Sequence, residues 1–350
     1  MTSATPNSVL FVGAYPRPAP LERFVSGDLA GRLVSRAWKV RVTSRQTGRL
    51  GRLAAIVWGA WRGGSRCDIA CVDVFSGAAF TWAQAACVLL RWARKPYVIT
   101  LHGGNLPDFG NRHPARVGKL LASAAAVTCP SPYLVKAMRR FRPDLMLIPN
   151  GVDLSQYHFE ERRAPLLRLM WLRAFHEMYN PVMAVEIVSL LRQQGINVTL
   201  CMIGPDKGDG SLERTRSRAK ELEVDACVQF PGPIAKEDVP AWLQKGDIFL
   251  NTTDVDNTPV SVIEAMASGL VVISTNVGGI PDLIHDGQDG LLVTPRDPER
   301  MASAVRTVIE DRTLAVQLST AARAKVESFD WSVVLPQWLE LFQSVCKQPA

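Results

Sequence analysis

The chain reads as an α/β protein of two domains, each built on a parallel sheet. Three observations predict this class. The 350 residues exceed the common size of one domain and give each half enough chain for its own core. Short apolar runs of the kind buried on both faces of a sheet, such as "CDIACVDVF", "PYVITLHGG", "DIFLNTT" and "LVVISTN", recur between longer helical patterns. Parallel strands joined by right-handed crossovers carry helices on both faces, so two such units make a two-domain protein with a cleft between its halves. No repeat of fixed period runs through the sequence.

Taken in order, "SVLFVG" is a strand ending at Gly13, and Pro16, Pro18 and Pro20 behind it forbid an immediate helix. A G-x-G-x-x-G dinucleotide fingerprint is therefore missing, while Gly13 itself lets the backbone approach a phosphate. "RLGRLAAIVWGAWRGG" (Arg49 to Gly64) predicts a helix that mixes Arg with Trp, and Gly77 to Leu90 predicts a buried helix. At 14 residues the latter run is shorter than the roughly 18 to 20 that span a bilayer. "VTCPSPYLVKAMRRF" gives a strand and a helix, and "LMLI" a strand ending at Ile148 before the turn Pro149-Asn150-Gly151. The charged "FEERRAPLLR" reads as a linker, which puts the domain boundary near residue 155. The second alternation runs from "LRLMWLRAF" through the helix "NPVMAVEIVSLLRQQG", the strand "NVTLCMIG", the helix "SLERTRSRAKELEV", the strand "CVQFPG" and the helix "KEDVPAWLQKG" to "DIFLNTT".

Composition narrows the function. The net charge of +7 divides unevenly, for residues 1 to 150 hold 21 Lys/Arg against 6 Asp/Glu, and the rest is acidic. A basic first half implies an anionic partner, either a phosphorylated substrate or an acidic membrane surface. Nucleic acid is not expected, because no RNP, zinc-finger or basic-zipper pattern accompanies the charge. Seven cysteines, none in a C-x-x-C pair, fit neither a disulfide framework nor a zinc site and suit a reducing cytoplasm. His113, His158, His176 and His285 lack the partners of a metal site. The N-terminus lacks the basic flank and apolar run of a signal peptide.

The stretch "DNTPVSVIEAMASG" (Asp256 to Gly269) carries the chemistry. Thr258 is a good N-cap and Pro259 a good first helical residue, and Gly269 is a favoured stop. The free N–H groups of Val260 and Ser261, together with the positive end of the helix dipole, suit a diphosphate. Glu264 lies four residues after Val260 on the same face, about 6 Å deeper. There it can accept from paired hydroxyls such as those of a ribose, while Asp256 can accept from a sugar beyond the diphosphate. Arg173, directly after a strand, faces the crevice where ligands of open α/β sheets bind.

These residues also carry a resemblance. "DNTPVSVIEAMASGLVVISTNVGGIPDLI", with "PNGVD" (Pro149 to Asp153), "LHGG" (Leu101 to Gly104) and "SFDW" (Ser328 to Trp331), resembles the retaining family 4 glycosyltransferases of the GT-B fold. That resemblance implies two Rossmann-like domains facing a central cleft: residues 1–155 binding the acceptor, residues 156–331 binding the nucleotide-sugar donor, and a last helix over 332–350 packing back on the first domain. It implies that Glu264 binds the donor ribose, Asp256 the donor sugar and Arg173 the diphosphate, and that His102 stands near the acceptor and the transferred sugar. It sets Ile234 of "PGPI" against the nucleobase. Read from the residues themselves, "VGGIP" (Val277 to Pro281), with Asp282 after it, is a turn whose glycines permit backbone contact with the donor. The first acidic residue is Asp where the family commonly has Glu. Asn180 stands near the place of a family Lys, for which Lys207 is a stand-in.

The expectation is a retaining, metal-independent transfer from a nucleotide diphosphate sugar to a glycan, lipid-linked or small-molecule acceptor. No cofactor is needed, and the protein would lie in the cytoplasm or peripherally on the inner face of an anionic membrane. Two other classes share the architecture. One is a nucleotide-sugar-binding protein of this fold without turnover; the other, a nicotinamide-dependent oxidoreductase, lacks its glycine fingerprint here.

Overall fold

A computed structural model describes residues 7–13, 25–43, 67–162 and 167–347. The chain forms two compact units, Met1–Gly151 with Trp331–Ala350, and Val152–Asp330. It leaves the first unit at Gly151, slightly before residue 155. The helix expected over Arg49–Gly64 lies outside the described residues.

The first unit contains β1 (Ser8–Val12), α1 (Val25–Ser35), β2 (Lys39–Val42), β3 (Ile69–Val74), α2 (Ala78–Trp92), β4 (Tyr97–Leu101), α3 (Leu106–Arg112), α4 (Pro114–Ala122), β5 (Ala126–Cys129), α5 (Pro132–Met138) and β6 (Met146–Leu147). The second contains β7 (Arg168–Leu172), α6 (Pro181–Gln193), β8 (Thr199–Ile203), α7 (Ser211–Glu221), β9 (Val228–Gly232), α8 (Val239–Leu243), β10 (Ile248–Asn251), α9 (Val260–Ala267), β11 (Val271–Thr275), α10 (Ile280–Leu283), β12 (Leu291–Val293), α11 (Pro298–Glu310) and α12 (Arg312–Val326). The final helix α13 (Trp331–Lys347) belongs to the first unit.

Each unit is one six-stranded sheet, ordered β2-β1-β3-β4-β5-β6 and β12-β11-β10-β7-β8-β9. The pairings are parallel, from Val9 opposite Ile69 in the first to Ile248 opposite Leu169 in the second. Central strands are buried throughout, as β1, β4 and β11 illustrate, which is why they read as mostly apolar runs. Apolar clusters flank each sheet. In the first unit one of them takes in Trp331, Trp338 and Phe342 of α13 against Val9, Phe11 and Ile69, each large side chain contributing about 2–3 kcal/mol by burial.

In both sheets the order reverses at an inner pair, β1/β3 and β10/β7. Helices following the two strands of such a pair go to opposite faces, which leaves the carboxyl ends of those strands uncovered. Residues just after β7 and β10 therefore share one crevice of the second unit.

Local caps fix the helices around it. Asp297 accepts from the Arg300 N–H at 2.9 Å, and Asp311 from the Leu314 N–H at 2.9 Å, each closing a first turn. The expected start of α9 needs correction. Pro259, with φ −68° and ψ 120°, is the N-cap and Val260 the first helical residue, so Thr258 lies outside the helix. The ψ of Pro259 lies outside the helical range, so the helix begins one residue later and Thr258 cannot cap it. The stretch expected to be a linker is partly interior. Arg162 is 3% exposed and donates to the Ser268 carbonyl at 3.1 Å.

Helix α9 ends as expected at Gly269. Leu270 N–H reaches the Ala265 carbonyl at 3.0 Å and Gly269 N–H the Met266 carbonyl at 3.1 Å, the paired bonds of a left-handed stop. Gly269 has φ +81°, and a Cβ there would sit 2.4 Å from the Glu160 carbonyl oxygen. Gly269→Ala should lower the unfolding free energy by about 2 kcal/mol, read as a lower urea midpoint at unchanged slope.

Candidate functional site

The crevice of the second unit is built from three loops that follow β7, β10 and β11. The loop after β10 begins with Thr252 and Thr253, both fully buried. Trp171 Nε1 donates to Thr252 Oγ1 at 3.0 Å, and that hydroxyl donates onward to the Tyr179 carbonyl at 2.8 Å. Thr253 Oγ1 and the Asp254 N–H both reach the Met178 carbonyl, at 3.2 and 2.8 Å. On the other side Thr275 Oγ1 donates to the Thr253 carbonyl at 2.5 Å. The buried backbone of this loop is thus satisfied by its neighbours, which holds the next residues in place.

Asp256 follows. Its Oδ1 accepts from the Asn257 N–H at 2.9 Å, and its carbonyl from the Gly279 N–H at 3.2 Å. Gly278, at φ +54°, lies so close that a Cβ would stand 2.0 Å from the Asp256 carbonyl oxygen. The glycines of "VGGIP" thus seat the Asp256 backbone, and Asp282 lies exposed within α10 beyond them.

Arg173 and Asp256, expected to contact different parts of a ligand, are ion-paired to each other through Nη2 and Oδ2. The guanidinium also lies over the Tyr179 ring at 4.2 Å, a stacking that suits its weakly hydrated plane. Its Nε is buried and has no hydrogen-bond partner among the described residues.

Helix α9 opens beside them. Its first intrahelical bonds run from Val262 and Ile263 to the Pro259 carbonyl, so the N–H groups of Val260 and Ser261 precede the ladder. Ser261 Oγ is buried without a partner among the described residues. Glu264 is buried at 6% exposure and accepts from the Tyr157 hydroxyl at 2.8 Å. It is the single charge of the helix, whose other residues are apolar or small.

The remaining expected residues fall as follows. Val260 and Ile234 are partly exposed members of an apolar cluster that includes Leu172 and Val277. Asn180 sits at the start of α6 in a left-handed conformation, φ 44°, and its amide donates to the Met183 sulfur at 3.7 Å. A turn that demands left-handed backbone accounts for Asn here. Lys207 is exposed on the loop after β8. Thr258 and Pro259 are buried at the mouth of α9.

His102 and Gly13 lie in the first unit. His102 Nε2 is 3.0 Å from Asp73 Oδ1, which also accepts from Ser26 Oγ at 2.6 Å, so the carboxylate fixes the ring's orientation. Phe75, half exposed, stacks on the imidazole at 5.0 Å and 20°. Gly13, at the end of β1, donates to Thr43 Oγ1 at 3.4 Å. Sequence reasoning missed Tyr157, Tyr179, Asp73 and Ser26. Only the polar run Asn251 to Thr253, directly after a buried strand, was a visible signal for the loop that holds Asp256.

Two family models match almost end to end along the chain: Glycosyltransferase Family 4 over residues 8–156 and Glycosyl transferases group 1 over residues 165–325. The chain belongs to the family 4 glycosyltransferases of the GT-B fold. A Mycobacterium tuberculosis glycogen synthase is 25% identical over 75% of this chain and 66% of its own length. The Erwinia amylovora amylovoran biosynthesis glycosyltransferase AmsK is 28% identical over 55% of this chain and 49% of its own. The chain thus spans between about half and about two thirds of these relatives. In fold, the family 4 chain superposes on Anabaena HepE, solved in complex with UDP and glucose, with a TM-score of 0.78 at 20% identity over 96% of this chain and 99% of that one.

The ion pair makes a stability prediction for this family member. Arg173→Ala and Asp256→Ala should each cost about 2 kcal/mol, because each strands the other's charge. The double variant should cost about 1 kcal/mol less than the sum, read from a urea-unfolding cycle.

Proposed function

We propose that this protein transfers a glycosyl group, with retention at the anomeric carbon, from a nucleoside diphosphate sugar to a glycan, lipid-linked or small-molecule acceptor. The observation that carries this reading is the buried mouth of α9. Two backbone N–H groups and the unpartnered Ser261 Oγ lie in the first turn of α9, and the unpartnered Arg173 Nε belongs to the guanidinium paired with Asp256, four residues before that helix. That set of donors suits a diphosphate.

The diphosphate would lie on Val260, Ser261 and Arg173, with Thr258 and Pro259 shaping the approach and the Asn180 and Lys207 loops bordering it. Glu264 would accept from the ribose hydroxyls, Asp256 from the donor sugar, and Ile234 with Leu172 and Val260 would lie against the base. As the bond from the anomeric carbon to the leaving phosphate breaks, the developing charge is stabilised by the helix terminus and Arg173. The acceptor oxygen then bonds to that carbon from the same face, and its proton passes to the departing phosphate oxygen. His102, oriented by Asp73, would contact the acceptor and the transferred sugar, with Gly13 close to the phosphates. The charge is met by protein groups alone, so the reaction as proposed needs no metal.

Peripheral binding to an anionic membrane is the other part of the proposal. No helix among the described residues is long and apolar enough to cross a bilayer. Support comes from Trp92, 79% exposed, flanked by exposed Arg91 and Arg94 at the end of α2. Sedimentation with anionic vesicles should carry the protein down and neutral vesicles should not; equal recovery from both would reject this part.

A thermal-shift screen of nucleotides, followed by assays of nucleotide release from the matching sugar, tests the main reading. Glu264→Ala should weaken nucleotide binding by about 10- to 100-fold, the value of hydrogen bonds from two hydroxyls to a carboxylate. Asp256→Ala should lower kcat by about 100-fold with a smaller effect on nucleotide affinity. Chelation by EDTA should leave the rate unchanged. Nucleotide binding without any release across a broad panel of sugars would favour a binding protein of the same fold.

A further inference from the structure

We infer that Tyr157 is a positioning residue that presets the Glu264 carboxylate for nucleotide binding; the inference rests on the assignment of Glu264 to the ribose. A glutamate has three rotatable side-chain bonds, and holding it in one orientation costs rotamer freedom when a ligand arrives. Here that freedom is already removed. The Tyr157 hydroxyl donates to Glu264 Oε1 at 2.8 Å in buried surroundings, where a charge-assisted bond is strong.

The phenol is delivered from a fixed position. Tyr157 N–H bonds the Leu154 carbonyl at 3.1 Å, and Leu154 N–H bonds Asp330 Oδ2 at 3.0 Å. The Tyr157 carbonyl accepts from Arg323 Nη1 at 3.3 Å, and that same nitrogen donates to the Ala267 carbonyl at the end of α9, at 2.7 Å. The segment that carries the phenol is therefore tied to the helix that carries the carboxylate. The ring packs with Val152, Leu154 and Val262 in one apolar cluster, so its body is core and its hydroxyl is the specific element.

A buried tyrosine needs a partner for its hydroxyl, and a backbone carbonyl would serve. Bonding the lone charge of α9 instead does something a carbonyl cannot. It takes one of the roughly four acceptor positions of the carboxylate and so fixes the orientation of the whole group that would meet the ribose.

The test uses the full chain and calorimetric titration with the nucleoside diphosphate selected by the thermal-shift screen, beside its 2′,3′-dideoxy analogue. Tyr157→Phe keeps the ring and removes the hydroxyl. It should weaken binding of the ribonucleotide about five- to tenfold, leave binding of the dideoxy analogue at the wild-type value, and add nothing in a Glu264→Ala background. Equal weakening for both nucleotides would mean that Tyr157 serves structure alone, and unchanged binding of both would mean that the bond has no role; either result overturns the inference while Glu264→Ala still weakens binding. Wild-type binding by Glu264→Ala would instead remove the ribose assignment, and the inference with it.

Discussion

The reversal of strand order between β7 and β10 is the constraint on which the candidate site depends. Parallel strands need crossover helices, and helices that depart to opposite faces of the sheet cannot both cover the strand ends between them. That gap is filled by loops, and loops with buried backbone must have their polar groups met. The threonines after β10 meet this demand by bonding to carbonyls of the loop after β7 and by accepting from Trp171 and Thr275. Asp256 and Arg173 inherit their positions from that lacing, since each is only a few residues beyond it.

Electrostatics then limit what such a gap can hold. A lone charge in a half-dry crevice is costly. Arg173 is therefore matched by Asp256 and backed by the Tyr179 ring. Glu264, deeper still, is met by Tyr157. Each charge has a partner, and Arg173 keeps an Nε without a hydrogen-bond partner among the described residues. A site arranged in this way holds its shape before any ligand binds, which spares the ordering of its side chains on binding.

Much of the fold was legible because buried parallel strands are written as mostly apolar runs; β3, β4, β10 and β11 fall within the segments read as strands. The edges were uneven. β6, Met146–Leu147, lies within the segment read as a strand ending at Ile148, but β12 has only Leu291 to Val293, too short for sequence periodicity to separate from a loop. The terminus of α9 was read one residue early because Thr-Pro satisfies two rules at once. Thr favours the cap and Pro the first turn, but a proline fixes only its φ, and here its ψ of 120° keeps Pro259 outside the helix. The burial of Arg162 within the segment read as a linker depends on a distant carbonyl, that of Ser268, which no local pattern announces.

The site residues divide in the same way. Asp256, Glu264 and Arg173 were visible because their spacing relative to a strand end or a helix start fixes their place within a known local geometry. Their partners were not, for Tyr157 lies 107 positions from Glu264 in sequence and Ser26 lies 47 from Asp73. A helix can advertise the charge it carries, because its other residues are apolar or small and make it conspicuous. It cannot advertise what neutralises that charge, since the partner arrives by tertiary folding and is itself an ordinary core residue by composition. Groups that touch a ligand are therefore the easier half of such a site to read, and the groups that hold them ready require coordinates.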